Sequence, residues 1–214
     1  MKLSVSEIFY SIQGESLYAG RPCAFVRLSG CNLRCRYCDT TYAYENGTEM
    51  AITKIIREIE SFQCPLVEVT GGEPLLQRRT PDLIKELIER GHTVLLETNG
   101  TMAIDKVDPR CIRIMDIKCP GSGESGKTEI SNFDRLLPKD QIKFVITDRT
   151  DYEYAKKLLT DKWQNKPPVE VLFSPAFGTH QPAILAAWIL ADHLPARLQL
   201  QLHKILWPSA ECGA

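Results

Sequence analysis

Three closely spaced cysteines are the residues of this sequence whose types and spacing point most directly to chemistry. Cys31, Cys35 and Cys38 follow a C-x3-C-x2-C pattern, just after the apolar run 24–28. Three thiolates from one loop can hold three irons of a 4Fe-4S cluster, whereas a structural cluster or a zinc site normally has four protein ligands. No fourth cysteine follows nearby. The pattern therefore predicts a cluster whose fourth iron is open to a small molecule.

Two other interpretations of these cysteines stay open on the triad alone. Cys35 and Cys38 could form half of a zinc site that Cys31 and a distant residue such as His203 complete, or they could form a redox-active C-x-x-C pair. The surrounding residues favour the cluster. The spacing resembles that of the radical SAM superfamily, whose members commonly carry an aromatic residue at the position of Tyr37. In that superfamily the open iron binds S-adenosylmethionine (SAM).

The bulk composition is that of one folded domain. The chain has 214 residues, of which 43% are hydrophobic and 25% are charged, and its net charge is −1. These values predict a single globular domain over residues 1–214. The near-neutral charge gives no electrostatic indication of a nucleic acid partner or of a membrane surface. The longest apolar run, 183–191, is about half of the roughly 20 residues that a membrane-spanning helix needs.

The remaining cysteines indicate a reducing compartment. Residues 1–7 lack the apolar stretch of a secretory signal, so we expect a cytoplasmic protein. In that compartment disulfides are rare, and isolated cysteines behave as small buried apolar side chains. The cysteines expected to do so are Cys23, Cys64, Cys111, Cys119 and Cys212.

Strands that alternate with helices must position these residues. The hydrophobic periodicity predicts strands over 3–9, 66–70, 92–97, 111–117, 141–147, 169–173 and 197–202, and helices over 52–62, 81–90, 151–160 and 182–194. Such alternation is typical of a parallel α/β sheet. The chain is short for a full eightfold barrel, which takes about 250 residues. We therefore predict a partial, open TIM-like barrel of about six parallel strands with fewer helices than strands. The first helix should be capped by Thr53 or by a residue just before it.

Two turns could bind ligands at the edge of this sheet. The polar turn after the first strand places Gly14 between Gln13 and Glu15, whose amide and carboxylate could bind the donor and acceptor edge of a heterocycle. An ordinary solvated turn is the open alternative there. The paired glycines Gly71 and Gly72 follow the strand 66–70, and they allow the backbone to approach a ligand closely. That turn lies where α/β folds bind their ligands.

A third motif indicates a different chemistry. Residues 121–128 match the phosphate-binding pattern G-x-x-x-x-G-K-[ST], which would assign Lys127 to nucleotide phosphates and Thr128 to magnesium. The following helix can have only about two turns before Pro138. No later strand ends in the metal-binding aspartate of such an enzyme, and Asp148 is the nearest approach. We therefore interpret the segment as a flexible loop near the mouth of the ligand site.

The motifs taken together resemble one family over nearly the whole chain. They are the Ile12–Glu15 turn, Arg27, the cysteine motif followed by Asp39 and Thr40, the Gly71–Pro74 turn, the Glu97–Gly100 turn and the Gln201–Lys204 segment. This combination resembles the 7-carboxy-7-deazaguanine synthase family, radical SAM enzymes of queuosine and 7-deazapurine biosynthesis. A small radical SAM activase, which makes a glycyl radical on a partner protein, is the alternative.

The resemblance implies an activity, cofactors and partners. The expected reaction is a lyase reaction that converts 6-carboxy-5,6,7,8-tetrahydropterin to 7-carboxy-7-deazaguanine with loss of ammonia. The implied cofactors are a 4Fe-4S cluster, SAM and Mg²⁺. A reductant such as flavodoxin or ferredoxin would supply the electron, and the enzyme would be a homodimer. Neither a nucleic acid nor a membrane partner is expected.

The resemblance also assigns roles to residues. The cluster ligands would be Cys31, Cys35 and Cys38, and Thr40 would bind Mg²⁺. The catalytic set would add Arg27 and Glu15 to the cysteines, with Arg27 suited to the substrate carboxylate because a guanidinium binds it in a bidentate manner. The cofactor would contact Tyr37, Cys38, Asp39, Gly72, Glu73, Asp116, Ile117, Lys118 and Ser174. The substrate would contact Ile12, Gln13, Gly14, Glu15, Arg27, Thr70, Gly71 and His203.

Overall fold

A computed structural model describes residues 1–45 and 47–208 of the chain. The strands within these ranges are Lys2–Ile12 (β1), Pro22–Leu28 (β2), Thr48–Ala51 (β3), Leu66–Gly71 (β4), Thr93–Thr98 (β5), Ile112–Ile117 (β6), Gln141–Ile146 (β7), Glu170–Pro175 (β8) and Arg197–Leu198 (β9). The α-helices are Ile52–Ser61 (α1), Thr80–Glu89 (α2), Arg149–Trp163 (α3), Pro182–Ala191 (α4) and Leu202–Leu206 (α5). The predicted alternation of strands and helices is confirmed.

The strands form one open sheet with the order β3-β1-β2-β4-β5-β6-β7-β8-β9. β1 pairs antiparallel with β2 and with β3, and every neighbouring pair from β2 to β9 is parallel. Strands outnumber helices in the described part of the chain. The α/β fold with a mostly parallel open sheet is therefore the one that the sequence predicts.

The sheet is curved, so that its two edges approach each other at one end. The turn after β1 lies near one edge of the strand order, and α5 follows the strand at the opposite edge. Nevertheless, the Leu202 N–H donates to the Gly14 carbonyl at 2.9 Å. The Ser16 N–H donates to the Gln199 side-chain oxygen at 2.6 Å. The turn therefore bridges the gap of a partial barrel.

Two apolar clusters hold the helices against the sheet. The four isoleucines of α1 that repeat at helical spacing are all buried: Ile52, Ile55, Ile56 and Ile59. The parallel strands β4 to β8 are buried along nearly their whole length. The expected cap by Thr53 is wrong, since α1 begins after Ala51, which has no polar side chain, and Thr53 lies inside the helix.

The end of the described chain differs from the prediction of a strand over 197–202. Only Arg197 and Leu198 pair with β8, and α5 begins at Leu202. The segment leaves the sheet because Leu202 bonds to the turn after β1. The amide side chains of Gln199 and Gln201 bond to that turn as well.

The scattered cysteines lie in the core as predicted. Cys23, Cys64, Cys111 and Cys119 are buried and carry free thiols. Cys212 and the rest of the segment 209–214 lie outside the described residues. Within the described ranges, no helix combines the length and the apolar character needed to cross a membrane.

Candidate active site

A deep cleft opens at the carboxyl ends of the parallel strands, enclosed by the turn after β1, the cysteine loop and α5. Most of the residues that the sequence assigns to a site line this cleft. They are Ile12, Gln13, Gly14, Glu15, Arg27, Cys31, Cys35, Tyr37, Cys38, Asp39, Thr40, Thr70, Gly71, Gly72, Asp116, Lys118 and His203. The structure thus brings together motifs that lie up to 191 positions apart in the chain.

The cluster loop, residues 31–38, carries the three cysteines on one wall of the cleft. Cys31, Cys35 and Cys38 are partly exposed, unlike the four buried cysteines of the core. Burial raises the pKa of Cys31, and it raises the pKa of Cys35 to about 11. Both thiols are therefore neutral near pH 7 unless a metal displaces their protons. In residues 1–45 and 47–208, no group of three or more His, Cys, Asp or Glu side chains is placed to hold a single metal ion, as the zinc interpretation requires.

Two buried polar atoms beside the cluster loop fit a polar ligand. Tyr37 Oη and Asp116 Oδ1 are buried without a hydrogen-bond partner among the described residues. Unpaired buried groups are costly, so such atoms indicate a ligand that pairs with them. The other oxygen of Asp116 pairs with Lys118 Nζ at 2.9 Å. These groups, next to the three thiols of the cluster loop, fit a 4Fe-4S cluster and the charged amino and carboxylate groups of SAM.

Gly72 lets the β4 turn pack directly on the cluster loop. A Cβ at this position would lie 2.5 Å from the Gly30 carbonyl oxygen and 2.6 Å from Cys31 Cβ. Both separations are well below van der Waals contact. The following N–H, that of Glu73, donates to the Gly30 carbonyl at 2.8 Å. The turn and the loop are therefore held as one surface.

Three residues assigned to the cofactor do not line the cleft as the structure describes it. Ile117 and Ser174 are buried in strands β6 and β8. Glu73 is fully buried, and its carboxylate accepts from the N–H groups of Leu75 at 2.8 Å and Asn99 at 2.7 Å. All of these bonds lie within the protein, so Glu73 orders the wall behind the cleft.

A buried lysine that the sequence analysis missed lies at the base of the cleft. Lys143 on β7 contacts Glu15 Oε2 at 2.9 Å and Asp116 Oδ2 at 3.4 Å, and it also bonds to Glu97. Burial alone would raise the pKa of Glu15, but the positive charge of Lys143 holds that pKa below its usual value. Burial acts against ionisation of Asp116 too, and Lys118 and Lys143 lower its pKa. Glu15 and Asp116 are therefore charged in the folded protein.

A second missed residue, Glu68 on β4, fixes the side chain of Gln13. The Gln13 amide nitrogen donates to Glu68, and its oxygen accepts from the Glu15 N–H at 3.0 Å. These two bonds set the orientation of the amide in the cleft. Burial, together with the nearby Glu97 and Glu15 carboxylates, raises the pKa of Glu68 to about 8. Glu68 therefore carries a proton at neutral pH and can donate it in a hydrogen bond.

We expect Glu68→Gln to change how stability depends on pH. The folded protein holds the Glu68 proton up to about pH 8, whereas the unfolded chain releases it near 4.5. A raised carboxyl pKa costs stability progressively as the pH rises through this window. Glutamine has no proton to lose. The melting temperature of Glu68→Gln relative to the parent should therefore rise between pH 5.5 and pH 8, whereas Glu49→Gln at an exposed position should show no trend. A constant difference for Glu68→Gln would contradict this assignment.

The short helix α5 closes the cleft over Gly14. A Cβ on Gly14 would lie 2.9 Å from His203 Cγ and 3.0 Å from the His203 nitrogen, and closer still to Nδ1. Lys204 pairs with Asp39 at 3.2 Å, and Asp39 accepts from the Thr40 hydroxyl at 2.9 Å. The helix therefore connects the polar turn with the end of the cluster loop.

We expect Gly14→Ala to weaken substrate use more than SAM binding. The added methyl group must displace His203 and with it the wall over the polar turn. Misplacing such a wall should raise KM for the substrate about tenfold, with SAM affinity within a factor of about two. Steady-state kinetics and SAM titration measure these quantities. In the double variant with His203→Ala, most of the clash should be removed. An unchanged KM for the single variant Gly14→Ala would show that α5 does not hold the turn.

The missed residues share one sequence signal. Glu68, Glu97 and Lys143 each stand alone as a charged residue in an otherwise apolar strand. A lone charge within a buried strand must be paired or must face a ligand. Phe25, Leu33, Tyr44, Val145, Ala176 and Phe177 also line the cleft, and no comparable signal marks them.

The fold and the cleft are those of a radical SAM enzyme. The model of the radical SAM superfamily matches residues 25–112, a range that contains the cluster loop. The chain is 49% identical over 208 residues to 7-carboxy-7-deazaguanine synthase of Chlorobaculum tepidum. This alignment covers 96% of this chain and 94% of that protein. It is 43% identical to the protein of the same name from Koribacter versatilis, with 96% and 97% covered. The chain belongs to the 7-carboxy-7-deazaguanine synthase family.

A solved structure has the same fold. The crystal structure of QueE from Escherichia coli superimposes with a TM-score of 0.79 at 22% identity, and the match covers 95% of each chain. The match extends over the whole open sheet and is not confined to the cluster region. Because the relatives named above are 7-carboxy-7-deazaguanine synthases, the alternative of a glycyl-radical activase is not favoured.

Proposed function

We propose that this protein converts 6-carboxy-5,6,7,8-tetrahydropterin to 7-carboxy-7-deazaguanine with release of ammonia. The observation that carries the proposal is the polar turn of Gln13 and Glu15, held by Glu68, Lys143 and α5 in the cleft that the three cysteines also line. Family membership supports the reaction. This reaction needs a site for an amide-rich heterocycle in the same cleft as the cluster loop.

The cluster and SAM would lie against the loop 31–38. When bound, they supply a hydrogen-abstracting carbon radical through one-electron cleavage of the sulfonium. Cys31, Cys35 and Cys38 would hold three irons. The unpaired atoms of Tyr37 and Asp116 would bind the polar groups of SAM, and the backbone of Gly71 and Gly72 would allow its close approach.

The pterin would lie against the turn after β1. Gln13 would present a fixed amide edge, Glu15 a charged acceptor, and Glu68 a neutral donor. This set matches a ring that carries both N–H donors and a carbonyl acceptor. Because the three side chains are held by other protein groups, the substrate pays little for ordering them.

Arg27 would bind the substrate carboxylate. Its Nε donates to Glu7 at 2.7 Å, and its guanidinium lies 5.8 Å from the ring of Phe9 and 5.9 Å from the ring of Tyr42. These contacts immobilise the guanidinium plane. In the described ranges, its two terminal nitrogens donate no hydrogen bond, so they can donate to both oxygens of a carboxylate.

We expect Arg27→Ala to impair substrate binding and to leave SAM binding unchanged. Loss of a bidentate, charge-assisted pair should raise KM at least tenfold, which corresponds to about 1.5–3 kcal/mol. Arg57→Ala, at an exposed position of α1, serves as the matched control and should have no effect. Calorimetric titration with each ligand measures both affinities. A parental affinity for the pterin in Arg27→Ala would remove Arg27 from the substrate site.

Thr40 would contribute its hydroxyl oxygen to Mg²⁺ near the substrate carboxylate. The hydroxyl lines the cleft and donates to Asp39 at 2.9 Å. Mg²⁺ prefers hard oxygen ligands and keeps several waters, so one hydroxyl and a substrate carboxylate form a reasonable set. Magnesium bound there would orient the carboxylate beside Arg27.

The remaining assignments concern partners and location. A one-electron carrier such as flavodoxin or ferredoxin would reduce the cluster, and the working enzyme would be a homodimer in the cytoplasm. The free thiols of the seven described cysteines support a reducing compartment.

A single assay tests the proposed reaction. Oxygen-free protein, reconstituted with iron and sulfide, is incubated with the carboxytetrahydropterin, SAM, Mg²⁺ and dithionite. The product should absorb in the ultraviolet as a deazaguanine and have the mass of 7-carboxy-7-deazaguanine. SAM should be regenerated, since the hydrogen returns to the cofactor after rearrangement. Iron-loaded protein that gives no such product would overturn the proposal.

A further inference from the structure

The segment 121–128, which resembles a phosphate-binding loop in sequence, packs on the cluster loop. Lys127, the residue that would bind phosphate, instead forms an ion pair with Glu124 of the same segment. Within the described structure, no residue of 121–128 lines the cleft. The motif therefore has a use other than nucleotide binding, and its contacts with the cluster loop indicate what that use is.

Two hydrogen bonds join this segment to the backbone on either side of Cys35. The Arg34 N–H donates to Glu124 Oε1 at 2.6 Å, and the Arg36 N–H donates to the Ser122 carbonyl at 3.0 Å. Glu124 is only 9% exposed, so this bond is largely shielded from water. The peptide groups before and after the second cysteine are thus held from outside the cluster loop.

The segment is itself anchored to the sheet and to α3. Asp151, which is fully buried, accepts from the Gly121 N–H at 2.7 Å and from the Thr147 N–H at 2.9 Å. The Ser122 hydroxyl donates to the Cys119 carbonyl at 2.5 Å and accepts from the Glu124 N–H at 2.9 Å. The Glu124 carboxylate is therefore presented from a rigid support.

The cluster loop needs such support. It must present three thiolates at fixed separations, yet it has little regular structure of its own. From these contacts we infer that Glu124 is a positioning residue: it accepts the Arg34 N–H and so fixes the backbone that carries Cys35 for cluster binding. Surrounding hydrogen bonds commonly orient the residues that hold a metal centre. This inference rests on the cluster in the proposed function and is independent of the substrate.

Three variants separate the acceptor role from the charge. Glu124→Ala removes the acceptor, Glu124→Gln keeps an acceptor oxygen without the charge, and Lys127→Ala removes only the ion pair. After oxygen-free reconstitution, we expect iron release to a chelator to be about tenfold faster in Glu124→Ala, which corresponds to one charge-assisted hydrogen bond. Glu124→Gln and Lys127→Ala should stay within about threefold of the parent. In iron-free protein, the Arg34 amide should exchange about tenfold faster in Glu124→Ala alone.

Each outcome decides the inference. Parental iron release and amide exchange in Glu124→Ala would overturn it, and so would a Glu124→Gln variant as defective as Glu124→Ala. A melting temperature of iron-free Glu124→Ala far below that of the iron-free parent would also overturn it, because the role would then be general stability. Failure of the parent protein to bind iron would instead overturn the proposed function.

Discussion

Cys35→Ala, prepared and reconstituted without oxygen, is expected to lose the brown colour of the parent and all turnover. The parent should hold about four irons per chain, because three thiolates of one loop suffice for a cluster with one open iron. In Cys35→Ala only two thiolates remain, which is half the number of protein ligands that a structural cluster has, so the cluster should be lost. Without the cluster, SAM would not receive the electron that its cleavage requires. Iron and sulfide analysis and the product assay measure both losses.

The control for this change is a cysteine of the core. Cys111 is buried away from the cleft, and burial raises its pKa to about 12. Cys111→Ala should keep its irons and its turnover, although removing a buried sulfur should lower the free energy of unfolding by about 1–2 kcal/mol. If Cys35→Ala retained four irons and parental turnover, the cluster assignment would be wrong.

Lys143→Met is expected to lower both stability and activity severely. The lysine is the shared positive partner of Glu15, Glu97 and Asp116, all of which line the cleft. Removing one partner of a buried charge group costs about 3–5 kcal/mol, because the charges that remain have lost their compensation. Methionine has a similar length, so packing changes little. Denaturant unfolding measures the loss, and the product assay should show at least a hundredfold decrease, since Glu15 loses its position.

The sign of the pH effect distinguishes this explanation from a packing defect. Without Lys143, burial raises the pKa of Glu15 in the folded protein, and the pKa of Glu97, which is already above its usual value, rises further. The variant then loses stability as the pH increases, and its deficit should be larger at pH 8 than at pH 5.5. The exposed Lys157, which pairs with Asp161, provides the control, and Lys157→Met should change stability by less than about 0.5 kcal/mol. A deficit independent of pH would indicate lost packing.

The features that the sequence predicted best are those set by residues close together in the chain. The three cysteines lie within eight residues, so their approach to one site needs no knowledge of the fold. The paired glycines at 71 and 72 follow a strand whose end was predictable from its apolar run. The isoleucines of α1 lie at helical spacing and are buried as expected. Each of these predictions depends on contacts between near neighbours in the chain.

What the sequence could not predict depends on register between distant strands. Lys143 and Asp116 are direct partners in the pairing of β6 with β7, and only this register places the lysine beneath Glu15. The strand expected over 197–202 ended early because the turn at Gly14, far away in sequence, accepts the Leu202 N–H. The motif around Glu73 did not show that the fold packs its carboxylate against Thr98 and Asn99.

The bridge between the turn after β1 and the region around α5 also has a consequence for how the protein folds. Its hydrogen bonds join Ser16 to Gln199 and Glu15 to Gln201, which are 183 and 186 positions apart. Closing a loop of nearly the entire chain carries a high entropic cost, and contacts of such long range form slowly. The strands between them pair with near neighbours and can form first. The mouth of the cleft is therefore among the last regions to reach its native arrangement, which leaves the cysteine loop accessible to incoming iron and sulfide while the chain is still folding.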